Sequence, residues 1–320
     1  MEVLEAKNIH LGYPRKSGQK KVISGLSFEL KKNQLTCLLG RNGIGKSTLI
    51  KGLLGQLSPV SGEILLGNRN LNELSKEEIA KEISVVLTEY SMPGNLTVEQ
   101  LVALGRTPHL RWHGRLSQED YQAVDKALTL TKIQELRKER ISELSDGQRQ
   151  KAMIARALAQ ESPILILDEP TAHLDLLGRH EIMALLYELA MKEGRAVLVV
   201  THNIELAIES AQEFWLLISQ DQMIQGPPED LIIAGQIKKL IPGESFHFDL
   251  EKGKIVFPSE KLEINVQGPE SLKFWVEKAL TKANLKKVAD TIFVEKDPFK
   301  ISHQGKTFRS IRALIDDIKD

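Results

Sequence analysis

At 320 residues the chain is long enough for about two domains and a sizeable core. Its 43 Lys and Arg residues balance 43 Asp and Glu residues. This zero formal net charge argues weakly against a nucleic-acid-binding protein, because such proteins usually carry a basic excess, although a local basic patch would escape this count. The single cysteine, Cys37, excludes a disulfide framework within the chain and favours a reducing compartment, and we expect neither a signal peptide nor a membrane-spanning segment.

The first predicted elements are two strands, over residues 1–10 and 25–30, that flank a polar and basic loop. Tyr13 stands at the start of this loop. A tyrosine in a loop is usually an exposed side chain without a task, but next to a nucleotide-binding loop it can stack on an adenine base. Tyr13 is therefore a candidate for base binding.

A P-loop follows a predicted buried strand at residues 35–39 and precedes a predicted helix at residues 47–54. The stretch Gly40–Thr48 matches the pattern G-x-x-x-x-G-K-[ST] at every fixed position. Glycines allow backbone N–H groups to surround phosphate oxygens, and the helix adds the positive end of its dipole. A glycine-rich turn that fits by chance is the alternative, which the strand and helix disfavour. The candidate nucleotide-binding residues are Gly40, Asn42, Gly43, Gly45, Lys46, Ser47 and Thr48.

Two of these residues have specific predicted tasks. Lys46 should reach the β- and γ-phosphates of a nucleotide, and the Ser47 hydroxyl should bind Mg²⁺.

Residues from about 90 to 160 predict a helical subdomain inserted between strands of the nucleotide-binding core. Apolar residues recur at helical spacing over residues 97–104 and 118–130. A second Ser/Gly turn, at Ser145 and Gly147, then opens a helix that runs to about Ala159. A turn of this kind at a helix N-terminus is a second possible phosphate site.

A second group of candidate residues follows two later strands. The apolar run 164–167 suits a strand of a parallel sheet and ends in Asp168 and Glu169, at the strand end where ligands bind in open α/β sheets. We expect Asp168 to hold Mg²⁺ through water and Glu169 to orient or deprotonate an attacking water molecule. A strand at 196–200 delivers His202. A lone histidine is more often structural, but its place beside the other strand ends favours a catalytic role.

The order of these motifs resembles the ATP-binding cassette of ABC transporters, over about residues 1–245. The resemblance identifies Gly40–Thr48 as Walker A, Leu144–Gln148 as the signature and Ile164–Glu169 as Walker B. It also identifies the D-loop aspartate, the switch histidine and the A-loop aromatic residue, which are Asp175, His202 and Tyr13. The stretch Leu101–His109 is similar to the segment typical of ATPases that serve iron–siderophore, haem and cobalamin importers.

The resemblance implies an α/β fold, a P-loop NTPase cassette, that binds ATP and Mg²⁺. It implies a homodimer packed head to tail, in which Ser145, Gly147 and Gln148 of one copy, together with Asp175, complete the nucleotide site of the other. ATP would close the pair and hydrolysis would open it. A membrane permease would receive this motion at the cytoplasmic face of the membrane, and a substrate-binding protein would take part indirectly.

Two positions depart from the family pattern. Asp146 replaces the commonest glycine of the signature, which is a tolerated variant because Ser145 and Gly147 are kept. Glu89 stands where the family normally has a glutamine that contacts Mg²⁺ and links the nucleotide site to the subdomain facing the permease. We therefore include Glu89 with Ser47 and Asp168 among the predicted metal ligands.

The C-terminal part, residues 246–320, lies outside the resemblance and predicts a small α+β domain. Its pattern indicates a hairpin at 246–257, strands near 262–266, 291–294 and 299–302, and two helices. No catalytic or metal-binding pattern occurs in it, and dimerisation or regulation is a hypothesis only.

We consider three functions. The first is the ATPase of an importer of an iron–siderophore complex, haem or cobalamin. The second is a soluble ABC ATPase acting on ribosomes or DNA, but such proteins usually carry two cassettes or a long inserted coiled coil. The third is an exporter ATPase, which the segment Leu101–His109 disfavours.

Overall fold

The structure is a computed structural model that describes residues 2–15, 18–87, 95–110, 115–241, 246–250, 253–256, 263–285 and 287–320. The chain divides into two compact units. One unit comprises Met1–Pro242 and Phe248–Lys254, and the other comprises Gly243–His247 and Ile255–Asp320. Phe248, which lies beyond the end predicted for the ATP-binding domain, packs in the core of the first unit.

The strands in the described part of the chain are β1 (Glu2–Arg15), β2 (Gly18–Lys31), β3 (Gln34–Gly40), β4 (Ser61–Leu66), β5 (Arg69–Asn70), β6 (Ile83–Val86), β7 (Ile164–Asp168), β8 (Ala196–Thr201), β9 (Glu213–Leu217), β10 (Met223–Gly226), β11 (His247–Asp249), β12 (Lys254–Val256), β13 (Glu263–Gln267), β14 (Lys287–Glu295), β15 (Lys300–His303) and β16 (Lys306–Phe308).

The α-helices are α1 (Lys46–Leu53), α2 (Lys76–Glu82), α3 (Val98–Ala103), α4 (Gln118–Leu130), α5 (Asp146–Ala159), α6 (Leu176–Met191), α7 (Ile204–Ser210), α8 (Pro228–Ile233), α9 (Glu270–Lys282) and α10 (Ile311–Lys319). Short 3₁₀ helices occur at Leu71–Glu73, Leu104–His109, Gln134–Leu136, Ile141–Glu143 and Gln236–Leu240.

A six-stranded sheet of order β10-β9-β3-β8-β7-β6 forms the centre of the first unit. The strands from β9 to β6 are parallel, and only β10 pairs in the antiparallel direction. Every residue of β8 is buried, as expected for a parallel sheet that is covered on both faces. The strands predicted at 35–39, 164–167 and 196–200 are therefore neighbours.

A second sheet, of order β2-β1-β4-β5, contains a long antiparallel hairpin. The sequence predicted a polar loop after residue 10, but β1 continues to Arg15 and β2 begins at Gly18. Tyr13 thus lies in a strand, paired with Lys20, and not at the start of a loop. The prediction was wrong because antiparallel pairing satisfies backbone groups whether or not the side chains are apolar.

Helices α3, α4 and α5 lie between β6 and β7 in the chain and pack against one another. The segment from Leu104 to His109 connects α4 to the last turn of α5 through the side chain of Arg106. Arg106, only 5% exposed, donates to Asp120 at 2.7 Å and to the carbonyl oxygen of Ala159 at 2.7 Å. Burial alone would raise the pKa of Asp120, but hydrogen bonds from Ser117 and Arg106 outweigh it and lower the pKa.

The second unit contains a four-stranded sheet of order β13-β14-β15-β16. Strands β13 and β14 are parallel, whereas β14, β15 and β16 pair in the antiparallel direction. Helices α9 and α10 supply Val276 and Leu314 to its core, next to Ile292 of the sheet. The predicted strands and helices of this part are present, and β16 is an additional strand.

The position of Gly105 shows how closely the segment Leu104–His109 packs against α5. A Cβ atom at position 105 would overlap the carbonyl oxygen of Arg156, which belongs to the backbone of α5 and cannot move freely. We expect Gly105→Ala to lower the free energy of unfolding by about 1–3 kcal/mol, the cost of overpacking, as measured by urea denaturation. Gly147→Ala is the matched control, because a Cβ atom there meets nothing within 4 Å. Equal stability of the two variants would contradict the close approach.

Candidate nucleotide-binding and hydrolysis site

Three neighbouring strands bring the P-loop, Asp168 and the residues that follow Thr201 to the carboxyl end of the central sheet. In the parallel register Leu39 of β3 pairs with Thr201 of β8, and Asp168 of β7 pairs with Val200 of β8. The residues that directly follow these positions therefore lie side by side at the carboxyl ends of the strands, where α/β sheets bind ligands.

A pocket of about 500 Å³ opens at this end of the sheet. Residues from the P-loop, from β7 and from the β1–β2 hairpin form its walls. They are Tyr13, Lys20, Val22, Asn42, Gly43, Gly45, Lys46, Ser47, Thr48, Asp168 and Glu169.

Glycine is required in the P-loop for conformational reasons. Gly43 and Gly45 have φ angles of 78° and 125°, a region that other residues rarely adopt. Gly45 is the N-cap of α1, so the unpaired N–H groups of the first turn of α1 lie next to the pocket. This arrangement suits an anionic ligand such as a phosphate group.

Lys46 is folded back onto its own loop. Its Nζ atom donates to the carbonyl oxygens of Gly40 at 2.5 Å and Arg41 at 3.4 Å. Burial lowers the pKa of Lys46, while Glu169 and Asp168 act in the opposite direction. A phosphate group can replace these neutral carbonyl partners with a charged one, which makes a stronger hydrogen bond.

The pKa of Asp168 is displaced in the opposite direction to that of Lys46. Burial raises its pKa, the neighbouring Glu169 charge raises it further, and Lys46 partly compensates. A divalent cation would relieve this cost by adding positive charge beside the carboxylate. The Asp168 carboxylate and the Ser47 hydroxyl line the same pocket, and both are oxygen ligands of the kind that Mg²⁺ prefers. The residues present therefore fit the predicted metal.

Glu169 and His202 form a pair at the next strand end. The Nδ1 atom of His202 lies 2.8 Å from the Oε1 atom of Glu169, at hydrogen-bonding distance. The Glu169 backbone has a φ angle of 49° and its N–H donates to Val200, so an unusual conformation directs this carboxylate. The Glu169 side chain is 19% exposed, whereas that of His202 is 70% exposed. A carboxylate oriented in this way can accept a proton from a water molecule.

The side chain of Tyr13 contacts the helix that follows the P-loop. Its hydroxyl lies 3.4 Å from the Oγ1 atom of Thr48, and the Nζ atom of Lys51 lies 5.8 Å from the centre of its ring. Both partners belong to α1, whose first residue is Lys46. These contacts place the Tyr13 ring next to the helix that follows the P-loop.

The signature residues do not line this pocket as far as the structure describes it. Ser145 is the N-cap of α5 and accepts a hydrogen bond from the N–H of Gln148 at 3.3 Å, while Gln148 accepts one from the N–H of Ser145. A Cβ atom added at Gly147 would meet nothing within 4 Å, so the turn is open. Asp175 caps α6 and accepts from the N–H of Gly178 at 2.8 Å. These four predicted residues are not brought to the nucleotide pocket of their own chain.

A smaller cavity of about 190 Å³ shares Asp168 and Glu169 with the nucleotide pocket in its lining. Asp146 and Arg149 of α5 line it together with Asp168 and Glu169. Leu87 also lines it. Glu89, the remaining predicted metal ligand, lies outside the described residues.

Sequence reasoning missed two residues of the nucleotide pocket, Lys20 and Val22. A signal was available, because the basic residues beside Tyr13 were visible in the sequence. What could not be seen was the hairpin register that places Lys20 opposite Tyr13.

Comparison with known proteins identifies similar cassettes. The family model for ABC transporters matches residues 23–172. The petrobactin import ATP-binding protein FpuD of Bacillus anthracis is 36% identical over 72% of this chain and 83% of its own length. The ferric enterobactin transport ATP-binding protein FepC of Escherichia coli K12 is 34% identical over 74% of this chain and 86% of its own length.

A solved structure shows the same fold. It is the inward-facing conformation of a protein described as a metal-chelate type ABC transporter, with a TM-score of 0.65 and 30% identity over 75% of this chain and 89% of that chain. The predicted fold class, a P-loop cassette of the ABC type, is confirmed. Within the described residues, none of the helices has both the length and the apolar character needed to cross a membrane.

The electrostatic cost at Asp168 predicts a gain in stability on neutralisation. Since the pKa of Asp168 is raised, its charged form is disfavoured in the folded protein. This cost is fully present above the raised pKa and disappears as the pH falls below the ordinary value near 4. We expect Asp168→Asn to raise the melting temperature of the nucleotide-free protein at pH 8 and to lose this advantage at acidic pH.

The control for this prediction is Asp146→Asn, which neutralises an exposed carboxylate that pairs with Arg149. Its melting temperature should stay near that of the wild type at both pH values. A melting temperature of Asp168→Asn at or below the wild-type value at pH 8 would contradict the assigned charge cost.

Proposed function

Since the chain belongs to the ATP-binding proteins of ABC transporters, which are ATPases, we propose that it drives the import of a ferric chelate, an iron–siderophore complex, through a membrane permease. The observation that carries this proposal is the pocket in which Lys46, Asp168 and Glu169 meet, with His202 bonded to Glu169. Such a site binds a nucleoside triphosphate and activates water against it.

The substrate class rests on the relatives. Two of them are named for petrobactin import and ferric enterobactin transport, and the similar solved structure is described as a metal-chelate type transporter. These names favour an iron chelate over haem or cobalamin, and they favour transport over action on ribosomes or DNA. The segment Leu101–His109 supports the same assignment.

In the proposed mechanism each residue of the pocket has a separate task. Tyr13 stacks on adenine, the P-loop N–H groups bind the phosphates, and Lys46 leaves its carbonyl partners for the β- and γ-phosphates. Glu169 orients the attacking water and accepts its proton. His202 holds the Glu169 carboxylate in place through the 2.8 Å contact.

Mg²⁺, when bound, would neutralise charge on the β- and γ-phosphates, and Ser47 and Asp168 would hold it. We propose Glu89 as a further ligand. Leu87, two residues earlier, lines a cavity together with Asp168 and Glu169, which supports this placement.

Two copies would complete the site. Ser145 and Gly147 form an open turn at the N-terminus of α5, and the pocket of the same chain does not include them in its described lining. We propose that they bind the nucleotide held by a second copy, with Gln148 and Asp175 next to them. ATP binding then closes the homodimer, hydrolysis opens it, and a permease at the cytoplasmic face of the membrane receives the motion.

The catalytic assignment predicts different defects for two substitutions. Lys46→Ala should abolish ATP binding, because Lys46 contacts the phosphates of the ground state. Glu169→Gln should bind ATP normally but hydrolyse it about 10²–10⁴-fold more slowly, the loss expected for a general base. Titration calorimetry and phosphate release from the purified protein with its permease measure these two properties.

Glu181→Gln is a suitable control for the loss of a carboxylate, because Glu181 pairs with Lys151 on the surface of α6. It should match the wild type in binding and turnover. Turnover of Glu169→Gln equal to the wild type would refute the assignment of Glu169, and uptake assays with a ferric siderophore in reconstituted vesicles test the substrate class separately.

The proposed role of Glu89 leads to a separate prediction about the Mg²⁺ dependence of ATP hydrolysis. A glutamate beside the γ-phosphate adds a negative charge where the family has a neutral glutamine, and Mg²⁺ reverses the resulting repulsion. Glu89→Gln should therefore keep hydrolysis but shift its Mg²⁺ dependence, and Glu89→Ala should weaken the coupling of hydrolysis to transport. Unchanged Mg²⁺ titrations and coupling in both variants would refute this proposal and favour the alternative that Glu89 points to solvent.

A further inference from the structure

Lys20 lines the nucleotide pocket although no motif predicts it. Strand β2 places it directly opposite Tyr13 in the register of the β1–β2 hairpin. Side chains directly opposite each other on antiparallel strands lie on the same face, with Cβ atoms roughly 4.5–5.5 Å apart. The stem of Lys20 therefore stands beside the ring of Tyr13.

The backbone at Lys20 is held by the neighbouring strand. A Cβ atom at Gly12 would lie only 2.5 Å from the carbonyl oxygen of Lys20, so the two strands approach more closely here than another residue would allow. The position of Lys20 relative to Tyr13 is thus set by the hairpin. Tyr13 in turn is held to α1 through Thr48.

The charges in the pocket are distributed unevenly. Lys46 interacts electrostatically with Asp168 and Glu169 at the P-loop end. Lys20 is the other lysine in the described lining, and it lies at the Tyr13 end. If the base stacks on Tyr13 and the terminal phosphates reach Lys46, the ribose and the α-phosphate lie between them. The four-carbon stem of a lysine beside Tyr13 can bring its ammonium group to this intermediate region.

We propose that Lys20 binds the α-phosphate of the nucleotide through a charge-assisted hydrogen bond. It acts as a second phosphate-binding lysine, on the hairpin, in addition to Lys46 of the P-loop. The inference rests on ATP binding by the pocket and is independent of which solute the transporter carries.

The experiment compares Lys20→Gln with Lys21→Gln in the full-length protein. Lys21 is the adjacent lysine and is exposed like Lys20, but it pairs with Gly12 and is outside the described lining of the pocket. Its substitution therefore changes the net charge of the hairpin equally. Titration calorimetry gives the affinities for ATP and ADP, and competition gives that for adenosine. Circular dichroism and melting temperature establish that all variants are folded.

We expect Lys20→Gln to weaken the binding of ATP and of ADP by the same factor, about three- to tenfold, as for one charged hydrogen bond made by an exposed side chain. Adenosine affinity should not change. Lys20→Arg and Lys21→Gln should both bind ATP with wild-type affinity. Higher salt should reduce the difference in ATP affinity between Lys20→Gln and the wild type.

Four results would overturn the proposal. They are an unchanged ATP affinity in Lys20→Gln, an equal loss in Lys21→Gln, an equal loss for adenosine, and a loss confined to ATP. The third would assign Lys20 to the base and the fourth to the γ-phosphate. Failure of the wild type itself to bind ATP would refute the proposed function as well, and so is distinguishable from failure of the role of Lys20 alone.

Discussion

The site depends on the parallel pairing of β3, β8 and β7. These strands are mostly apolar, with Thr36 of β3 as a buried polar exception, and the residues that line the pocket begin at their carboxyl ends. A shift of register by one residue would move side chains to the opposite face and separate Gly40, Asp168 and Thr201 along the sheet edge. Because both faces of the sheet are covered, such a shift would also bury polar groups without partners. The same burial that stabilises the core therefore aligns the phosphate loop with the carboxylates.

This alignment brings a strained backbone conformation and two disfavoured charges together at one place. Glu169 adopts a left-handed backbone conformation, and the pKa values of Lys46 and Asp168 are displaced in the directions that oppose their charged forms. A residue held in a rarely populated backbone region costs roughly 1–3 kcal/mol. The two cores of the first unit must supply the stability that offsets these costs. Binding of a polyanion and a divalent cation would relieve the charge terms, so the free site is prepared for such a ligand.

The sequence predicted what contiguous motifs and local periodicity encode. The P-loop, the carboxylates at the end of β7 and helix α4 all lie where their patterns place them, because each depends on neighbouring residues alone. Lys20 could not be assigned in this way, since its contact with the pocket depends on a hairpin register and its own side chain is unremarkable in sequence. The extension of β1 through Tyr13 was missed for a related reason: Leu11, Gly12 and Tyr13 show no strand pattern of their own, and the pairing with β2 makes them part of a sheet. Contacts between side chains and distant backbone atoms have no local pattern either.

Such contacts give a physical account of the segment Leu101–His109. Gly105 permits close approach to the backbone of Arg156, and the Nε2 atom of His109 lies 2.9 Å from the carbonyl oxygen of Gln160. The Gln160 side chain in turn donates to the carbonyl oxygen of Ile83 at 2.9 Å, at the start of β6. The end of α5 is thereby bonded both to the segment Leu104–His109 and to the central sheet. Because α5 begins at the turn that contains Ser145 and Gly147, these contacts fix the opposite end of the helix that carries this turn.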